Sequence, residues 1–218
     1  MAQYKTGRNT KEKIIEASKS LFYEKGYNNT TFNEICAKAE VNSGLISYHF
    51  KGGKCEIAKK IYNELMIYFQ GKTLELFPGE SNEVKMVMSL GMHQTIFYKD
   101  PKYRKFSSEF STEGLSSLSF DDYTKTIPLV YDRMSKEIDD IRVQFYFAVI
   151  AGMDTKAETF ISQNLDRLPF EKTMLMLNEL YLWYLDRTER EQIINKSLDL
   201  LKTLNITNDE FNVSVTKK

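Results

Sequence analysis

The side chains whose types and spacing best fit a chemical role lie on a short predicted helix after residue 42. Three of them, Leu45, Tyr48 and His49, fall on one face at i, i+3 and i+4. A leucine can contact a thymine methyl group, whereas tyrosine and histidine can donate hydrogen bonds to phosphate. Neighbouring hydroxyl, amide and basic groups add further donors. These flanking candidates are Arg8, Thr30, Thr31, Asn42, Ser43, Gly44, Ser47, Lys51 and Lys54. The set predicts contacts with double-stranded DNA.

The charge of the chain is unevenly distributed, although its formal sum is zero. Residues 1–60 hold eleven lysines or arginines against six glutamates, and the remaining residues hold nineteen against twenty-four acidic residues. A neutral chain does not coat nucleic acid along its whole surface, but a basic segment can contact phosphates locally. The alternative is that the asymmetry arose by chance on a solvated surface. The residue pattern within the segment must therefore distinguish a DNA-binding role from chance.

Sequence patterns for catalysis or metal binding are missing. The chain contains no nucleophile elbow, no phosphate-binding loop and no metal-spaced cluster of His, Cys and carboxylate residues. Cys36 and Cys55 have neither paired-ligand spacing nor a disulfide framework around them. We expect no enzymatic activity, no cofactor and no metal. Without a signal peptide or a long apolar run, the chain is expected to be soluble and cytoplasmic, with no membrane partner.

The elements that position these residues are predicted to be helices, because apolar residues recur every three or four positions and proline is rare. A first helix, capped by Asn9 or Thr10, runs to about Lys25. Thr31 begins a second helix with a capping box through Glu34, and this helix ends near residue 39. Further helices are predicted over residues 42–50, 54–69, 83–99, 101–112, 121–138, 140–165, 170–186 and 189–205. We therefore predict an all-α fold with no sheet and a polar, mobile tail from about residue 208.

The first three predicted helices have the order of a helix-turn-helix domain. Two short helices joined by a tight turn and braced by a third helix form the frame that places a recognition helix in a major groove. Val41, Ile46 and Phe50 are spaced to pack inward, which leaves Leu45 and Tyr48 on the outer face. The segment is therefore predicted to bind DNA, with a small helical bundle of no DNA role as the alternative.

An ordered set of short motifs runs from Ile14 to Phe50. The motifs are Ile14-Ile15-Glu16-Ala17, Leu21-Phe22-Tyr23-Glu24-Lys25-Gly26-Tyr27, Thr30-Thr31, Ile35-Cys36-Ala37, Val41-Asn42-Ser43-Gly44-Leu45-Ile46 and Tyr48-His49-Phe50. Each piece is weak alone, but as a set they resemble the N-terminal signature of the TetR-like transcriptional regulators. The resemblance implies a DNA-binding domain over residues 1–54 and a regulatory, ligand-binding and dimerisation domain over residues 55–218.

The resemblance also implies roles for individual residues. Leu45, Tyr48 and His49 would reach DNA, Thr31 would cap the second helix beside a phosphate, and Lys54 would contact phosphate at the start of the fourth helix. At the level of the whole protein, it implies a homodimer that binds palindromic operator DNA. Such a protein is usually a repressor, and a small molecule in its regulatory domain releases the DNA.

Three positions depart from the family's pattern. Glu40 stands in the turn where Gly is usual, so a non-Gly residue is expected to hold a left-handed conformation at a cost of about 1 kcal/mol. Ser47 replaces a common Tyr, and Gly52-Gly53 adds one residue before Lys54. These departures leave open a second function, a helical protein-interaction module that has lost DNA binding.

The second half of the chain is rich in methionine and aromatic residues, most of which must form the core. The resemblance implies a ligand cavity among its helices, and a lining of this kind favours an apolar or aromatic effector. The candidate lining residues are Met92, His93, Phe97, Tyr131 and Phe145. For His93, a plain core histidine is the alternative.

A dimer is expected because one recognition helix reads too few base pairs for a unique site, whereas a two-fold dimer reads a palindrome. The predicted helices at 140–165 and 189–205 are the first choice for the dimer bundle, with 170–186 as the competitor. The helix at 140–165 carries small and apolar residues suited to close approach. They are Phe147, Ala148, Ala151 and Gly152.

Overall fold

The computed structural model describes residues 2–113 and 140–218, and within these residues it contains nine helices and two strands. The N-terminal helices are α1 (Ala2–Lys25), α2 (Phe32–Ala39), α3 (Ser43–His49) and α4 (Gly53–Leu76). The later helices are α5 (Asn82–Lys99), α6 (Pro101–Glu113), α7 (Asp140–Gln163), α8 (Phe170–Tyr181) and α9 (Arg187–Lys202). The predicted helical fold is confirmed. The helix predicted at 121–138 lies outside the described residues.

Two helices are longer than the sequence predicted. The first helix begins at Ala2, so neither Asn9 nor Thr10 is its cap. The fourth extends to Leu76 instead of ending at Phe69, because its buried side chains continue through Gln70 and Thr73. Although residues 70–76 are mostly polar, they do not mark the end of α4, because Gln70 and Thr73 are buried against neighbouring helices.

The prediction of no sheet and a mobile polar tail was wrong. Strand β1 (Leu204–Asp209) pairs antiparallel with β2 (Asn212–Lys217), and Leu204 lies opposite Lys217. The alternation of apolar and polar residues from Leu204 onward has the period of a strand, with Leu204, Ile206 and Val215 buried. At the tip, Glu210 and Phe211 have φ values of 47° and 68°, the left-handed pair that a tight hairpin turn requires.

The hairpin packs across the junction of the two halves of the molecule. The ring of Phe211 lies 6.0 Å from that of Tyr23 on α1 and 4.8 Å from that of Phe106 on α6. The carboxylate of Asp100 accepts hydrogen bonds from Tyr23 Oη at 2.9 Å and from Asn208 Nδ2 at 2.8 Å. Burial and this bond to Asp100 raise the pKa of Tyr23 to about 12. The hairpin therefore ties α1 to the predicted regulatory half, residues 55–218.

One continuous apolar core runs through both halves, from Ile14 on α1 to Val215 on β2. Helix α5 lies at its centre and packs against α4, α6, α8 and α9. The predicted division between residues 54 and 55 falls in the first turn of α4, whose Ile57 and Ala58 are fully buried. In the described part of the chain, no helix is long and apolar enough to cross a membrane.

The first test concerns the docking of the hairpin. We expect Phe211→Ala to lower the free energy of unfolding by about 3 kcal/mol, because it removes a buried ring from a packed aromatic cluster. Leu74→Ala is the control, since Leu74 is a half-exposed side chain of α4 and its loss should cost less than about 0.5 kcal/mol. Urea denaturation at fixed protein concentration measures both variants. Equal effects of the two substitutions would show that the hairpin is not part of the core.

Candidate nucleic-acid interface

Helix α2 begins with the capping box that the sequence predicts. Thr31 Oγ1 accepts from the backbone N–H of Glu34 at 3.3 Å, and Glu34 Oε2 accepts from the backbone N–H of Thr31 at 2.9 Å. Lys25 at the end of α1 also pairs with Glu34. The Lys25 ammonium and the Thr31 donors lower the pKa of Glu34 to about 2. The start of α2 is thereby fixed to the end of α1.

The turn between α2 and α3 depends on Glu40, which has a φ of 56° and a ψ of 43°. This left-handed geometry lets the Glu40 N–H donate to the Ala37 carbonyl at 3.3 Å and the Val41 N–H donate to the Cys36 carbonyl at 3.0 Å. The prediction that a non-Gly residue holds the left-handed position is confirmed. The exposed Glu40 carboxylate also places a negative charge at the edge of the helix-turn-helix surface.

Helix α3 is held by a polar cap at one end and by apolar anchors on its inner face. Asn42 Oδ1 accepts from the Leu45 N–H at 3.0 Å, and a methyl group added to Gly44 would come within 3.2 Å of that oxygen. Ile46 and Phe50 are buried as predicted. These contacts fix the rotation of α3 about its axis, which determines the residues it presents outward.

The outward face of α3 is exposed and carries few charges. Leu45 is 38% exposed and Tyr48 is 77% exposed. Ser43 and Ser47 are exposed beside them, and the ring of His49 lies 5.0 Å from that of Tyr48. The face therefore combines two hydroxyl groups, a phenol, an imidazole and an apolar contact, which suits reading of a DNA groove.

Two predicted contact residues are placed differently from this face. Thr30 is buried and its hydroxyl donates to the Gly26 carbonyl at 2.8 Å, so it stabilises the turn after α1 and is not presented to DNA. Lys54 is half-buried, with its ammonium 2.9 Å from the Tyr27 carbonyl and 4.2 Å from the centre of the Tyr27 ring. Arg8 belongs to α1, and its side chain lies outside the described part of the structure.

The connection between α3 and α4 explains the additional glycine. Gly53 has a φ of 60°, and its N–H donates to the Phe50 carbonyl at 3.0 Å. Gly52 donates its N–H to the carboxylate of Glu56 at 2.7 Å. Lys51 remains exposed at this turn. Because Lys54 is held inward, Lys51 is the better placed of the two lysines for a phosphate.

Two further basic residues lie on this part of the molecule and were not among the predicted contacts. Lys38 is exposed in the last turn of α2. The ammonium of Lys11 lies 5.3 Å from the centre of the Phe50 ring, beside the end of α3. The position of Lys11 follows from tertiary packing of α1, so no local spacing in the sequence could have indicated it.

Aromatic side chains attach these helices to the regulatory half. The rings of Phe22 and Phe106 are stacked with centres 5.4 Å apart, and the ring of Tyr27 lies 5.8 Å from that of Phe110. Asn28 donates its N–H to Glu109 on α6 at 2.8 Å. We call the set formed by these rings and those from the hairpin contact the aromatic junction. Its members are Phe22, Tyr23, Tyr27, Phe106, Phe110 and Phe211.

The predicted ligand residues do not all lie together. Met92, His93 and Phe97 are buried on α5, and only His93 among these three lines the partly enclosed cavity between α4, α5, α7 and α8. Phe145 is 65% exposed on α7 and does not line that cavity. Tyr131 lies outside the described residues. Burial lowers the pKa of His93 to about 4, so its imidazole is neutral at physiological pH.

The capped α2, the left-handed turn and the exposed face of α3 define a helix-turn-helix domain. Residues 14–61 match the family model for bacterial regulatory proteins of the tetR family. Over this segment the chain is therefore similar to the tetR family.

Sequence relatives agree with this assignment. The chain is 43% identical over 68 residues to the probable HTH-type transcriptional regulator YttP of Bacillus subtilis (strain 168), which covers 30% of this chain and 31% of that protein. It is 36% identical over 63 residues to the HTH-type transcriptional regulator LmrA of the same organism. That match covers 29% of this chain and 34% of LmrA. The chain thus spans about a third of the length of these relatives. Both relatives are named as transcriptional regulators.

A solved structure is also similar over most of the chain. The fatty acid degradation regulator FadR from Bacillus halodurans aligns with a TM-score of 0.43 and 15% identity, covering 84% of this chain and 97% of that one.

The second test concerns the turn before α3. We expect Glu40→Gly to be more stable than Glu40→Ala by about 1 kcal/mol, because only glycine adopts the left-handed conformation without a steric cost. The alanine variant is a matched control, since both changes remove the same carboxylate. Chemical denaturation of the two variants measures the difference. An alanine variant as stable as the glycine variant would mean that residue 40 carries no strain.

Proposed function

We propose that the protein is a dimeric transcriptional regulator that binds palindromic operator DNA through α3 and acts as a repressor released by a small molecule. The observation that carries the proposal is the outward face of α3, where Leu45 and Tyr48 are exposed on a helix whose rotation is fixed by the Asn42 cap. A large apolar side chain and an aromatic ring held in solvent on a rigid element favour a binding surface.

The proposed DNA contacts fall into two classes. Leu45 and the serine hydroxyls at positions 43 and 47 would read base edges, because their side chains are exposed on α3. Tyr48, His49, Thr31 and Lys51 would bond phosphates and so position the domain without reading sequence. The buried hydroxyl of Thr30 has no place in this set.

A second copy of the chain would cover an apolar face formed by α7 and α8. Large apolar side chains are exposed along both helices. They are Ile141, Phe145, Val149 and Phe160 on α7, and Leu175, Met176 and Leu180 on α8. The apolar side of α9, in contrast, is already buried against α5 through Ile194 and Leu201. This distribution favours residues 170–186 over 189–205 as the partner of α7 in the dimer bundle, and two-fold recognition of DNA requires such a dimer.

Release of DNA would require the effector to bind the DNA-incompetent arrangement more tightly than the competent one. A tenfold release corresponds to about 1.4 kcal/mol of such preference, a modest amount for a ligand enclosed among helices. Helix α4 starts beside the turn that follows α3, and its Ile61, Leu65 and Phe69 are buried in the shared core. A tilt of α4 would therefore change the separation of the two recognition helices in the dimer.

The third test measures DNA binding by gel shift against fragments from around the protein's own gene. Specific binding should weaken with salt with a log–log slope of magnitude at least about 4, because several phosphates are contacted in each half-site. Leu45→Ala should cost roughly 1–3 kcal/mol on the specific fragment and little on random DNA. Lys51→Ala should weaken both equally, since a phosphate contact does not read sequence.

The control for these variants is Leu74→Ala, which shortens a similarly exposed leucine on α4 and should change neither affinity. If Leu45→Ala weakens binding to the specific fragment and to random DNA equally, Leu45 does not read bases. If the wild-type protein binds none of the fragments, the alternative of a protein-interaction module, which the acidic Glu40 beside α3 favours, replaces the proposal.

The fourth test concerns the dimer. Leu180→Glu on α8 should convert the protein to a monomer, because a carboxylate cannot be buried between two apolar helix faces without a partner. Asn195→Glu places the same charge on the exposed face of α9 and should leave the dimer intact. Sedimentation equilibrium gives the mass of each variant. Dissociation of the α9 variant alone would assign the interface to α9.

A further inference from the structure

A partly enclosed cavity lies between α4, α5, α7 and α8. Its volume is about 30 Å³, enough for a group the size of one or two water molecules. Polar side chains line one part of it, namely His93, Gln94, Glu158 and Asn178. The remaining wall is apolar and aromatic. It consists of Tyr62, Leu90, Ala157, Ile161, Met174, Leu177 and Tyr181.

Three polar atoms on this wall are buried without a hydrogen-bond partner among the described residues. They are His93 Nε2, Gln94 Oε1 and Asn178 Oδ1, on side chains that are at least nine-tenths buried. Asn178 Nδ2 donates to the Met174 carbonyl at 2.7 Å, and this bond determines that Oδ1 is the atom left over. Buried polar atoms are almost always hydrogen-bonded in folded proteins, so three such atoms on one cavity point to a bound group that satisfies them.

The chemistry of the wall selects for hydrogen-bond donors. The two amide oxygens can only accept, and the carboxylate of Glu158 lies 3.7 Å from His93 Nε2 while it accepts from Ser107 Oγ at 2.6 Å. Because burial keeps the His93 imidazole neutral, His93 adds no positive charge that would attract an anion. A protonated amine offers three donors to these acceptors, whereas a carboxylate ligand offers only acceptors and would leave the amide oxygens unpaired.

The apolar part of the wall gives the direction of the rest of the ligand. Ala157, Ile161 and Leu177 line both the cavity and an apolar groove of about 320 Å³ on the outside of α7 and α8. An alkyl chain that leaves the cavity on this side therefore has apolar surroundings. The groove belongs to the face assigned above to the second subunit, so a chain placed there would alter the packing of the two subunits.

We propose that this cavity binds the basic, hydrogen-bond-donating head group of an amphipathic small molecule, such as a primary alkylamine, with its alkyl chain directed between α7 and α8. The site itself stands independently of DNA binding. Its role as the effector site rests on the proposed function.

The experiment compares three probes of equal chain length, hexylamine, 1-hexanol and hexanoate, by calorimetry and thermal shift at neutral pH on the full chain. Hexylamine should bind at least about tenfold more tightly than hexanoate, with hexanol between them. Asn178→Leu and Gln94→Met each remove one acceptor with little change in volume, and each should weaken hexylamine by about tenfold while changing hexanol less. Because the two variants lie at different positions, the test still holds if one of them fails to fold.

Gln70→Leu is the matched control, because Gln70 is a buried amide with an unpaired Nε2 atom that does not line this cavity. It should leave hexylamine binding unchanged. Equal binding of hexylamine and hexanoate, or an equal effect of all three substitutions, would overturn the proposal. If none of the three probes binds, the proposal is also overturned. Water is then the group that bonds the unpaired polar atoms of the cavity.

A parallel measurement of operator affinity separates this inference from the proposed function. Operator binding that persists without any amine binding refutes the site and leaves the DNA-binding proposal intact. Tight amine binding that leaves operator affinity unchanged supports the site and refutes its role in release. The third outcome is that amine binding lowers operator affinity in the wild-type protein but not in Asn178→Leu. This outcome supports both the site and its role in release.

Discussion

The aromatic junction is the interaction on which the rest of the structure depends. Phe106 stands at its centre, with Phe22, Phe110 and Phe211 around it at ring distances of 5.4, 5.7 and 4.8 Å. Because these contacts are apolar, salt does not screen them, whereas contacts with phosphate weaken as salt increases. The orientation of α3 relative to the regulatory half is therefore set by forces different from those that would hold it on DNA.

The junction also connects the cavity to the DNA-binding helices through contacting rings. His93 lies 5.6 Å from Tyr62, and Tyr62 lies 5.7 Å from Phe110, whose ring contacts Tyr27 at 5.8 Å. Lys54 in the first turn of α4 rests on Tyr27. Tyr62 on α4 therefore contacts both the cavity residue His93 and the ring of Phe110 that packs on Tyr27. Coupling along this path requires two arrangements of the rings that ligand and DNA favour differently.

The sequence predicted those features that depend on local interactions. The caps formed by Thr31 and Asn42, the left-handed Glu40 and the burial of Ile46 all follow from residues within a few positions of each other. Features set by distant contacts were missed. Thr30 looks like a surface hydroxyl until the Gly26 carbonyl is placed beside it. The hairpin was not predicted because its alternation of apolar and polar residues is short. After a long helical pattern, such a short alternation resembles a polar tail.

The position of the hairpin in the chain has a consequence for biosynthesis. Helices α1 to α3 leave the ribosome early and can form their caps and turn from local contacts alone. Phe211, which joins Tyr23 to Phe106, is synthesised only after all nine described helices. The contacts of Phe211 cannot form until that residue has been synthesised. A nascent chain thus passes through a stage in which α1 to α3 are present but the hairpin that packs on α1 is not.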